Sequence, residues 1–134
     1  MVDFYVRSME VSVVDTVTAV TAIAAVFFAG MGIYALAAPA RLVGPFDITL
    51  GSAAARAEVR AVYGGFGLAI AAVLIVALST PGLRTGILTT VAAALAGMAF
   101  GRLVSALDGR TRFYPNWFYF LVETVAAAAL FVVS

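Results

Sequence analysis

Four apolar runs of roughly twenty residues each, at about 15–38, 57–78, 84–106 and 117–133, are separated only by short breaks rich in proline, glycine or charge. A run of that length crosses a hydrocarbon layer of about 30 Å as an α-helix, and in lipid a lone segment satisfies its own backbone polar groups only as a helix. The 134 residues are 64% hydrophobic and 11% charged, so no polar stretch remains that is long enough for a separate soluble domain. The expected fold is all-α: a single four-span transmembrane domain over residues 1–134, an integral membrane four-helix bundle.

The breaks set the topology. Pro39 stops the first run, since it restricts Ala38 and cannot continue the hydrogen-bond ladder. The following stretch "PARLVGPFDITLGSAAARAE" carries Val43, Phe46, Ile48 and Leu50, too apolar for free exposure, and is expected at the interface or folded against the bundle. Ser52 before three alanines reads as the N-cap of the next helix. Pro81-Gly82 makes a tight turn that forces antiparallel neighbours, and "LDGRTRFYPN" forms the last loop, giving an up-down-up-down order. Tyr114, Trp117 and Tyr119 would meet the headgroup layer. Asp3, Arg7, Glu10 and Asp15 before the first run are unlike the basic region of a secretory signal, so that run is expected to be retained.

The charges exclude several classes of function. The net charge is +1 with no basic tail, which leaves nothing for nucleic acid. All eight basic residues are arginine, and the chain has no cysteine, histidine or lysine. Thiol chemistry, imidazole-ligated metal or haem and Schiff-base lysines are therefore excluded, and neither a metal nor a cofactor is expected. Arginine-only, alanine-rich usage suggests a bacterium with a GC-rich genome. Alternating the spans puts Arg7 and Arg84 on one face, and Arg41, Arg56, Arg60, Arg102, Arg110 and Arg112 on or near the other. By the positive-inside rule the second face is cytoplasmic, with both termini outside a bacterial inner membrane.

One carboxylate breaks the last run. Glu123 in "NWFYFLVETVAAAALFVVS" stands six residues beyond Trp117, and Arg102 stands six residues before Asp108 on the neighbouring span. At 1.5 Å per residue both lie about 9 Å from the same face, so they are at matching depth. The second span opens at that face with Glu58, Arg60 and Tyr63, and Ser105 lies one turn from Arg102. Arg56, Arg60 and Tyr63 share one helical face, with Glu58 to one side. The constellation Glu58, Arg60, Tyr63, Arg102, Ser105 and Glu123 admits two roles. It is either a buried ion-pair network, Arg102 with Glu123 and Arg60 with Glu58 or Glu123, or a polar pocket for the head of a small amphipathic ligand.

Small residues recur at close-packing spacing: Gly30 and Gly32, then Gly64, Gly65 and Gly67, then Gly97 and Gly101. They would let helix backbones approach one another inside the bundle or across a seam to a second copy. "YGGFG" lies within a span and not between a strand and a helix, so it is not a phosphate loop.

The segments "AEVRAVYGGFGLAI" and "GRLVSALDGR", followed by a glutamate in the last span, resemble the pattern of a bacterial family of small four-span membrane proteins, domain of unknown function 4345. The matching positions are Glu58, Arg60, Tyr63, Gly64, Gly65, Gly101, Arg102, Asp108, Gly109 and Glu123. The resemblance covers nearly the whole chain from the first span onward and implies fold and membrane location; it implies no activity. Three functions follow from the residues. The first expectation is a non-catalytic subunit or accessory of a larger membrane assembly, partnered by the bilayer and by other subunits or its own copies. Alternatively it binds or carries a lipidic or quinone-like molecule. A third role is a membrane-embedded enzyme using Glu123 or Glu58 as acid and base.

Overall fold

In a computed structural model the chain runs from Met1 to Ser134, and every residue is described except for the side chains of Val2 and Asp3. Helix α1 spans Val2–Ala37 and the short α2 spans Pro39–Val43, followed by a 3-10 turn at Gly44–Phe46. Helix α3, Ala53–Val59, passes through a π-helical turn at Arg60–Gly65 into α4, Phe66–Ser79. Helix α5 covers Pro81–Ser105, and a kinked turn at Phe113–Trp117 leads into α6, Phe118–Val133. Among the described residues there is no strand. Four helical stretches, Phe4–Ala37, Ala53–Ser79, Pro81–Ser105 and Phe113–Val133, are long and apolar enough to cross a membrane. The chain is a multi-pass membrane protein of the all-α class.

Helix α1 starts at Val2 and not near Asp15. Nothing before Asp15 breaks a helix, because that segment has neither glycine nor proline. Its 36 residues make it about 54 Å long, well beyond a hydrocarbon thickness of about 30 Å. Its first turns therefore project past the other helices, with Phe4, Tyr5 and Met9 exposed. At its other end Ala38 leaves helical geometry at φ −137° and ψ 60°, as a residue before proline must. Pro39 then opens α2, where its missing N–H costs nothing.

The segment after α2 folds back onto the bundle. Val43 is buried and Phe46 half-buried, which answers the apolar character of this loop. Asp47 turns the chain with a left-handed φ of 58°, a conformation that aspartate tolerates better than most residues. Ser52 caps α3 by accepting the Ala55 N–H at 3.0 Å.

The helices form a ring in which α1 packs along α4, α4 along α5, and α5 along α6. The seam between α1 and α6 is the loosest. The core is built from Ala25, Phe28, Leu74, Leu88, Val91, Leu95 and Leu130 with alanines between them, small enough to bring the helices close. Three glycines make the α1–α4 contact. A Cβ on Gly32 would stand 3.0 Å from the Gly64 carbonyl oxygen and 3.0 Å from the Leu68 nitrogen. Gly64 lies against Leu36, and Gly67 against Met31 and the Gly32 Cα. The expectation that Gly30, Gly97 and Gly101 pack inside the bundle is corrected: each has open space where a Cβ would stand. Gly65 has only a carbonyl of its own helix 3.9 Å away. Gly30 instead lines the cleft between α1 and α6.

Arginines tie successive spans together. Arg60 Nε donates to the Leu36 carbonyl at 3.0 Å. Arg84 Nε donates to the Ala77 carbonyl at 3.1 Å, and its Nη2 to that of Leu78 at 3.4 Å. The last four carbonyls of a helix have no partner within it, and a cation there also meets the negative end of the helix dipole.

Candidate functional site: a cleft between the first and last spans

Among the described residues Glu123 is the most buried charged group, its side chain only 5% exposed, and it is held by one partner. Arg102 Nε donates to Glu123 Oε2 at 2.7 Å, and Arg102 Nη2 donates to Oε1 at 2.7 Å. This two-pronged geometry is the strongest form of arginine–carboxylate pairing, because both oxygens receive a charge-assisted hydrogen bond in one plane. The antiparallel run of α5 and α6 sets both residues at one depth. The guanidinium is also flanked by two rings: its carbon lies 5.3 Å from the Tyr119 centroid and 5.8 Å from that of Phe46. Such contacts contribute roughly 0.5–2 kcal/mol, more as the cation is desolvated. The 3-10 turn that carries Phe46 is thereby anchored on α6, with the Phe46 and Tyr119 rings 5.6 Å apart.

Beside this pair lies a cleft of about 1040 Å³, slightly above the usual range of about 300–1,000 Å³ for small-molecule sites. One wall is α1, with Val20, Ala24, Phe27 and Met31; the facing wall is α6, with Val122, Val125 and Ala129. Ile23, Val26 and Leu121 line it and are also well exposed, so the cleft opens sideways toward the lipid through the loose α1–α6 seam. Its polar end gathers Arg41, Arg102, Glu123 and the tyrosines at 34, 63, 114 and 119. The rest of the lining is apolar.

The structure brings together only part of the expected constellation. Arg102, Glu123 and Tyr63 all line the cleft. Arg60 does not pair with Glu58 or Glu123: its guanidinium turns to the Leu36 carbonyl, which the end of α1 leaves without a partner. The π-turn that begins at Arg60 also breaks the even helical phase on which the shared face of Arg56, Arg60 and Tyr63 depended. Glu58 is exposed and has no ion-pair partner among the described residues. Ser105 is exposed as well, and its hydroxyl donates back to the Gly101 carbonyl at 3.1 Å, the ordinary habit of a serine within a helix. Arg41 and Phe46 were missed. The apolar content of the loop signalled that Phe46 would fold back, but nothing local marked Arg41 as a lining residue.

These features define a small polytopic membrane protein whose lateral, lipid-facing cleft ends at a buried arginine–glutamate pair. A family model described as domain of unknown function (DUF4345) matches residues 16–134, and the chain belongs to that family. No curated protein and no solved structure matches it.

Proposed function

We propose that this protein binds or carries one small amphipathic lipidic molecule, taken up sideways from the bilayer. The observation that supports this reading is the cleft itself: apolar along its walls, open to lipid between α1 and α6, and polar only at the end formed by Arg41, Arg102, Glu123 and the tyrosines. A tail would lie along α1 and α6, where it exchanges one apolar surrounding for another at little cost, and the head would find its donors and acceptors at the polar end. The test is native mass spectrometry of the protein purified in a mild detergent, with organic extraction of whatever it retains. A small lipidic species at one per chain is expected, and Ala129→Trp, which fills the cleft from α6, should release it while the helical circular dichroism is unchanged. Protein that retains nothing, and takes up nothing from an added lipid extract, would refute the reading.

A role as subunit or accessory of a membrane assembly is the second reading. It is favoured by Gly97 and Gly101, one turn apart on α5 with nothing opposite them. A helix of another chain would approach closely there. The proposed location is a bacterial inner membrane, with the Arg41 and Arg102 end toward the cytoplasm and both termini outside, in keeping with six arginines against two.

A further inference from the structure

We propose that the ligand of this cleft carries a singly charged oxyanion, a carboxylate or a phosphodiester, on one apolar chain. The inference rests on the lipid-binding reading and specifies its chemistry. The starting point is what Arg102 leaves unused. A guanidinium has five N–H donors, and Glu123 takes one from Nε and one from Nη2. The two on Nη1 and the second on Nη2 have no acceptor among the described residues, yet the side chain is 20% exposed and lines the cleft. Those donors are available to an oxygen inside the cleft.

Arg41 is the second source of donors. It lines the same end from α2, and among the described residues no carboxylate lies within 4.0 Å of it. The charges at this end then sum simply. Arg41 and Arg102 contribute two positive charges and Glu123 one negative, which leaves a single uncompensated positive charge at the polar end of a mostly apolar cleft. Arg41 is exposed, so this charge is not stranded; it stays free to attract an anion and donate to it.

That balance discriminates among heads. A monoanion neutralises the end and can accept from the free donors of Arg102 or Arg41 without disturbing the Arg102–Glu123 pair. A neutral quinone or alcohol accepts hydrogen bonds but leaves the charge standing. A dianion overshoots and competes with Glu123 for Arg102, and a cation is repelled. The tyrosines at 63 and 119 can donate to the same oxygens from the sides.

The test titrates delipidated protein, in neutral detergent and by native mass spectrometry, with palmitate, lysophosphatidylglycerol, hexadecanol and decylubiquinone. At least one of the two anions should bind about tenfold tighter than hexadecanol, the worth of one charge-assisted hydrogen bond. Which anion binds tells a fatty acid from a lipid phosphate. Arg41→Gln should remove that advantage and leave hexadecanol unaffected, while Arg41→Lys should keep most of it. Arg41 is exposed, so neither variant threatens the fold. Equal binding of either neutral compound and the anions, or no effect of Arg41→Gln, would overturn the anionic head and leave the lipid-binding reading intact. Failure of all four to bind would overturn both.

Discussion

The Nε of Arg60 stands 3.0 Å from the carbonyl oxygen of Leu36, so a side chain from the start of the second span closes the end of the first. Arg84 repeats the arrangement one span later, on Ala77 and Leu78. A hydrogen bond to a charged group contributes about 1.5–3 kcal/mol, and less where water competes. Arg84, partly buried, should matter more than the exposed Arg60. Arg84→Met is expected to cost about 1–2 kcal/mol in denaturant unfolding from detergent micelles, and Arg60→Met clearly less. Arg84→Lys should restore part of the loss.

Removing one side of the pair between Arg102 and Glu123 strands a charge or its donors inside the bundle. Glu123→Gln and Arg102→Gln are each expected to destabilise by about 2 kcal/mol. The double variant should cost less than the sum, with a coupling of about 1 kcal/mol or more. Strictly additive losses would mean that the two side chains do not interact in the folded protein.

The glycines separate into two groups with opposite expectations. Gly32→Ala drives a methyl against backbone atoms of the second span, which cannot yield as a side chain tip would. It should open the α1–α4 contact and cost about 1–3 kcal/mol. Gly97→Ala and Gly101→Ala meet open space, and in a helix interior each should be neutral or stabilising by up to about 1 kcal/mol. Loss of a co-purifying partner or of a dimer in these two variants, with the chain itself as stable as before, would establish the role as an assembly subunit.

Orientation can be measured directly because the chain has no cysteine of its own. Ser8→Cys and Thr111→Cys lie on opposite faces of the bundle. A membrane-impermeant maleimide added to intact bacterial spheroplasts should label Ser8→Cys and spare Thr111→Cys until the cells are lysed. The reverse pattern would invert the topology.

Hydropathy and breakers were sufficient for the architecture, because a bilayer leaves the backbone no alternative to helices and the link at Pro81 is too short for any but antiparallel neighbours. The depth argument brought Arg102 to Glu123 for the same reason: two antiparallel helices that share a face put equal rises at equal heights. Arg60 failed that reasoning. Its depth was legible, but its partner is a backbone carbonyl of Leu36, and free carbonyls leave no mark in a sequence. The cleft was equally invisible, since it exists only through how far α1 and α6 stay apart. The helical start of α1 at Val2 shows the bias of hydropathy, which reports where lipid begins and not where a helix does.

The π-turn at Arg60–Gly65 carries one consequence for how this span is assembled. Such a turn accommodates about one extra residue per loop of helix, so the segment before it is rotated relative to the segment after it by roughly 100° from where an unbroken helix would set it. The half that bears Arg60 is thereby aimed independently of the half that bears Leu74 and Ala77. Deleting a single residue within 61–63 would keep the span helical and apolar, yet swing Arg60 away from Leu36 while the rest of the bundle kept its phase. The second span is thus two separately aimed modules joined by a one-residue gear.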